Sequence, residues 1–216
     1  MIKFLLNMVS LIGLIFIISG CSFLYQDASE SSKAEIIDVT QAEEPWEIID
    51  FHAVNQFEEE VTNETLEGGW WITKTIFTRC PTVCMTMTPN MVELQQGLEK
   101  ENVELTIVSF TVDPEFDTPE RLEDYGEGYG ASFDNWHFLS GYTPDEISNF
   151  SLESLKAPMQ EVPEDNDIIH TTRFFLVNPE GVVVRMYSGE GNFDLEATVA
   201  DIKEVQMESG ELPSDL

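Results

Sequence analysis

The run Thr78-Arg79-Cys80-Pro81-Thr82-Val83-Cys84 carries the most reactive chemistry in this 216-residue chain. The two thiols form a C-x-x-x-C pair, so in a helical segment the sulfurs lie one turn apart on one face. Such a pair closes a strained disulfide or grips one metal ion. The pair follows a β-prone stretch (Trp70, Trp71, Ile72, Ile76, Phe77) and precedes a helical face of Met87, Met91, Leu94 and Leu98. That places the thiols at the C-terminal end of a predicted parallel strand, where open α/β sheets carry their sites. Unsatisfied N–H groups at the helix start, and the neighbouring Arg79, favour thiolate over thiol. The plainer alternative is two buried structural cysteines. Close spacing in an extracytoplasmic chain argues against it.

The N-terminus supplies the compartment. Lys3 precedes 17 uncharged residues, Phe4 to Gly20, whose apolar run ends at Ser19-Gly20-Cys21. This is the pattern of a signal peptide with a small-residue cleavage site. A membrane anchor would need roughly 17–25 apolar residues, so the run sits at the short end for spanning. Ile18-Ser19-Gly20-Cys21 resembles the bacterial lipobox. That resemblance implies acylation of Cys21 and a protein tethered to the outer face of the bacterial cytoplasmic membrane. Cys80 and Cys84 would then be the remaining thiols of the three cysteines.

Four segments follow: a lipoprotein signal peptide over 1–20, an acidic tether over 21–45, a folded domain over 46–206 and an acidic tail over 207–216. The tether is rich in Ser, Ala, Glu and Asp and poor in aromatics, too little to bury. Within the domain, Trp46 to Asn55 reads as a first strand or hairpin, followed by a polar link with Glu58, Glu59, Glu60 and Asn63. Lys74 argues against a wholly buried strand at Trp70 to Phe77. Val103 to Val112 is apolar enough for a strand buried on both faces. Thr118-Pro119 and Thr143-Pro144 are helix starts, the second with Glu146 in capping-box position. A strand over Trp136 to Leu139 separates those helices. Phe174 to Val177 and Val182 to Tyr187 flank the turn Asn178-Pro179-Glu180-Gly181 as an antiparallel pair. Leu195, Val199, Ile202 and Val205 define a final helix. The order predicts an α/β fold: a mostly parallel central sheet with an antiparallel edge hairpin and helices on both faces.

Four motifs in order, Phe77 to Cys84, Val112-Asp113-Pro114-Glu115-Phe116-Asp117-Thr118-Pro119-Glu120, Ile168-Ile169-His170-Thr171-Thr172 and Asn178 to Gly181, resemble those of the Sco/SenC family. These are thioredoxin-like, membrane-anchored copper proteins that assist assembly of the dinuclear copper centre of cytochrome c oxidase. The resemblance spans about residues 46–206. It implies a thioredoxin-like fold, copper held by Cys80, Cys84 and His170, and the copper-centre subunit of the oxidase as partner. Two thiolates and an imidazole are a soft set that suits Cu(I), with room for a further ligand to accommodate Cu(II). His170 stands directly before a predicted strand that could bring it to the thiol end of the sheet, whereas His52 and His137 have no such placement. Asp113 and Asp117 match the family's D-x-x-x-D loop, read either as turn and helix-entry chemistry or as a partner surface beside the site. Family members usually carry proline after the second cysteine. Met85 stands there instead and offers a thioether, although Met87 and Met91 suggest that methionines here pack the core.

Three functions compete. The protein could hand copper to an oxidase subunit as a metallochaperone. Cys80 and Cys84 could instead act as a redox pair that reduces the subunit's copper-accepting cysteines by thiol–disulfide exchange. The alternative is a general thioredoxin-like oxidoreductase unrelated to the oxidase, disfavoured by C-x-x-x-C in place of C-x-x-C and by the histidine, which plain exchange does not use. The formal charge of −31 would repel phosphate backbones and excludes nucleic-acid binding. It admits two accounts: steering of cations or a basic partner, or a surface adapted to a saline or alkaline exterior, where salt screens self-repulsion.

Overall fold

Every residue of Trp71–Ile76 except Lys74 is β-branched or aromatic, the composition that suits a pleated, packed surface. In the computed structural model, which describes residues 36–80, 83–164 and 167–210, this segment is a central strand of the main sheet. The chain divides into two units, Met1–Lys33 and Ala34–Leu216, and every described residue lies in the second. Its elements run β1 (Ile37–Asp38), β2 (Trp46–Glu47), β3 (His52–Val54), β4 (Glu60–Thr62), α1 (Asn63–Leu66), β5 (Trp71–Ile76), α2 (Cys84–Lys100) and β6 (Thr106–Thr111). They continue with α3 (Pro119–Tyr129), β7 (Trp136–Leu139), α4 (Pro144–Leu155), β8 (Gln160–Val162), β9 (Asp167–Ile169), β10 (Arg173–Val177), β11 (Val182–Ser188) and α5 (Leu195–Glu208).

The sheet is ordered β1-β11-β10-β5-β6-β7, and β2 also pairs with β11. Strands β5, β6 and β7 are parallel, with Ile76 opposite Thr111 and Phe110 opposite Leu139. On the other side of β5 the sheet turns antiparallel through β10 and β11. This is the mixed α/β architecture that the element order predicts, with helices flanking a sheet whose centre is dry. Ile72, Ile76, Ile107, Val108, Trp136, Phe174 and Leu176 are all buried. Helix α2 comes close to α5 at Gly97, where an added Cβ would stand 3.0 Å from Val199 and 3.1 Å from Leu195. The two Thr-Pro helix starts form as expected. Thr118 caps α3, and Thr143 with Glu146 closes a capping box on α4.

Several segments differ from the sequence reading. Lys74 is fully buried and all six residues of β5 are inside, because its ammonium finds a hydroxyl partner on α2. The sheet begins earlier than residue 46: Ile37 and Asp38 pair with Met186 and Arg185 of β11. The polar link after Asn55 is structured, with β4 pairing with β3 and Thr62 capping α1. A small antiparallel pair, β8 and β9, intervenes between α4 and β10. Its polar, acidic strands give no alternating apolar signal. Helix α5 continues to Glu208.

Candidate metal centre

The thiol loop leaves the end of β5 and is tied to the interior before it reaches the first sulfur. Phe77 is buried, and the Cys80 amide donates to the Phe77 carbonyl at 3.2 Å. Asp117, itself fully buried, accepts from the Thr78 amide at 3.0 Å, from the Thr78 hydroxyl at 2.5 Å and from the Thr111 hydroxyl. Burial pushes the Asp117 carboxyl up, and the Thr111 and Thr78 bonds pull it back. The Arg79 Nε donates to Asp113 at 2.5 Å, and its guanidinium lies 4.7 Å from the Phe116 ring centroid.

These contacts tie the D-x-x-x-D loop to the thiol loop. Asp117 faces inward and Asp113 is nearly buried against Arg79. Both carboxylates hold the thiol loop in place.

The second sulfur opens α2. Cys84 is the first residue of that helix and is buried, while Cys80 is half-buried. The two sulfurs are not joined in a disulfide. The Cys84 thiol is pushed well above its ordinary value, first by its hydrogen bond with Cys80 and then by burial; a Phe77 backbone bond and the Lys74 charge pull the other way. The expectation of a thiolate favoured by the helix start and Arg79 therefore does not hold for Cys84. Arg79 is paired with Asp113, and the Cys80 bond and burial both favour the protonated thiol.

The imidazole arrives from the far side of the sequence. His170 follows β9, is buried, and stacks edge-on to Phe77 with centroids 5.8 Å apart. Its Nδ1 lies 2.9 Å from the Thr171 carbonyl and 2.9 Å from the Thr75 hydroxyl. A carbonyl oxygen only accepts, so Nδ1 carries the hydrogen and Nε2 keeps its lone pair. That lone-pair atom stands 3.8 Å from the Cys84 sulfur. The ligand atoms of Cys80, Cys84 and His170 all lie within 4.8 Å of one another. With a metal–nitrogen bond of roughly 2.0–2.1 Å and a metal–sulfur bond of roughly 2.3 Å, a nitrogen and a sulfur on one ion stand at most about 4.4 Å apart, so the 3.8 Å separation fits.

The donor chemistry fits copper. Two soft sulfurs and an imidazole of fixed tautomer are a set suited to Cu(I), and the half-buried Cys80 side leaves room for another ligand. The other candidates stand apart. His52 is exposed and lies 3.5 Å from Glu60, and the His137 Nδ1 is 3.2 Å from the Asn55 amide. Met85 is 60% exposed, whereas Met87 is buried in the core. Cys21 lies outside the described residues. Sequence reasoning missed Thr75, Thr171 and Phe77 as the groups that orient the imidazole. The available signal for Thr75 was its place one residue before the end of β5.

Comparison with known proteins gives one answer. The family model described as SCO1/SenC matches residues 39–206. The SCO1 protein homolog of Bacillus subtilis (strain 168) is 40% identical over 158 residues, covering 73% of this chain and 82% of its own length. A solved structure of BsSco, described as a member of the Sco family of cytochrome c oxidase assembly proteins with a disulfide switch, superposes with TM-score 0.69 at 39% identity. It covers 78% of this chain and 99% of that one. The copper-bound structure of Arabidopsis thaliana ScoI superposes with TM-score 0.63 at 25% identity, covering 74% and 98%.

Proposed function

Since the chain belongs to the SCO1/SenC family, with its thioredoxin-like fold, we propose that it is an extracytoplasmic, membrane-tethered copper protein that assists assembly of the dinuclear copper centre of cytochrome c oxidase. The observation that carries this reading is the meeting of Cys80, Cys84 and His170, 86 positions apart between the second sulfur and the imidazole. Copper is the cargo, Cu(I) or Cu(II), held by two sulfurs and Nε2. The membrane tether is acylated Cys21, and the partner is the oxidase subunit that receives the metal.

The same thiols have a second use. Cys80 is the more accessible and is the attacking sulfur. Its thiolate attacks a disulfide of the partner, forming a mixed disulfide and releasing one partner thiol. Cys84 then attacks the Cys80 sulfur, releasing the second partner thiol and leaving a Cys80–Cys84 disulfide. Two electrons pass to the partner, whose reduced cysteines can then accept copper. A general oxidoreductase has no use for an imidazole whose tautomer is fixed toward the sulfurs.

Anaerobic copper titration of the reduced protein, followed by absorption and paramagnetic resonance, tests this reading. His170→Ala should abolish tight Cu(II) binding and leave dithiol–disulfide exchange largely intact, and Cys80→Ser should lose both. Oxidase assembly that survives His170→Ala would assign the function to exchange rather than copper delivery.

A further inference from the structure

Lys74 is a cation where a sheet interior normally has none. Its side chain is fully buried in the central strand, with Nζ donating to the Thr88 hydroxyl at 2.7 Å and lying 5.7 Å from the Trp136 ring centroid. Among the described residues no carboxylate pairs with it. A buried charge without a partner is costly, and burial accordingly brings the Lys74 ammonium down to about 7, so an anion formed beside it would hold the charged form.

The geometry identifies that anion. Thr88 is four residues after Cys84, on the same face of α2, so the ammonium is anchored one helical turn from the second sulfur. Strand alternation sends Thr75 and Lys74 to opposite faces. Thr75 orients the imidazole from one face while Lys74 reaches under the helix from the other. The coupling is mutual: burial lowers Lys74 to about 7 while Cys84 pulls it up, and Lys74 in turn pulls the Cys84 thiol down.

We infer that Lys74 is the buried counter-cation of the sulfur site and favours its copper(I) form over its copper(II) form. The charge count gives the direction. A copper(I) ion with two thiolates and a neutral imidazole carries −1, the copper(II) complex carries zero, and the reduced dithiol and the disulfide are both neutral. A positive charge at Lys74 therefore stabilises the copper(I) complex alone among these states, and that complex in turn favours the charged form of Lys74. This inference rests on copper binding at Cys80, Cys84 and His170.

The test compares Lys74→Met, which keeps the volume, and Lys74→Gln, which keeps polarity, with the wild-type protein. Cu(I) and Cu(II) affinities are measured separately by competition with chelators, and the dithiol–disulfide equilibrium is measured against glutathione. Both variants should lose about tenfold or more in Cu(I) affinity relative to Cu(II), the scale of a charge pair at an effective dielectric near 20. Their dithiol–disulfide equilibrium should move by less than about twofold, whereas general damage to the site would shift all three quantities. An unchanged ratio of Cu(I) to Cu(II) affinity overturns the inference, as does a loss in the Met variant that the Gln variant lacks. Wild-type protein that binds no copper at these three residues overturns the function reading and this inference together.

Discussion

The two halves of the metal centre are held in different ways. The thiol loop grows out of a buried strand, is fastened by the Asp117 bonds to Thr78 and Thr111, and runs into a 17-residue helix. The imidazole follows a pair of three-residue strands that form their own small sheet, with no fully buried residue and with Ile169 54% exposed. His170 itself is fixed by its contacts with Thr75, Thr171 and Phe77 rather than by the strand before it. One half of the site is thus built into the core, and the other is docked onto it. A docked ligand can close on a metal and withdraw from it, which suits a protein that must release its cargo.

Three changes would break or sharpen this contrast. Asp117→Ala removes the acceptor shared by three donors of Thr78 and Thr111, and should destabilise the protein by about 2–3 kcal/mol in urea unfolding. The loss carries a pH signature. Burial raises the folded Asp117 carboxyl above its unfolded value of 3.8, so its contribution is complete below that pH and declines as pH rises through the folded value. The stability gap between wild type and variant should narrow over that window. Thr75→Val takes one partner from Nδ1 and leaves the Thr171 carbonyl. Copper(II) affinity should fall about tenfold, with the unfolding free energy changed by less than about 1 kcal/mol. No loss of affinity would mean that the imidazole is held without help from β5. Ile169→Ser should alter stability by less than about 0.5 kcal/mol. Native-state hydrogen exchange should then show β8 and β9 opening far below the global unfolding energy, while β5 and β6 exchange only on global unfolding.

The same contrast explains what the sequence disclosed. The parallel half was legible because its strands are apolar runs, its helices start at Thr-Pro caps, and its thiols stand next to each other in the chain. The partner of those thiols was not legible from periodicity. His170 was found through the motif Ile168 to Thr172, because β8 and β9 are too short and too polar to give a strand pattern. Lys74 misled for a definite reason. A lysine normally marks a solvent-facing position, and the hydroxyl that accepts its hydrogen bond lies 14 residues away on another element. The two aspartates read equally well as surface or scaffold, because their bonds to Thr78 and Arg79 span 39 and 34 positions of sequence.

The pairing of Ile37 and Asp38 with β11 bears on where the folded domain can be cut from the residues before it. Together with β2, these residues cover the outer flank of the sheet, reinforced by the bond from the Val39 amide to the Val184 carbonyl and the Asp38–Arg185 ion pair at 2.9 Å. A soluble version that starts at Trp46 would leave that stretch of β11 with open amides and carbonyls, a template for another chain to pair with. One that starts at Ala34 keeps the flank closed.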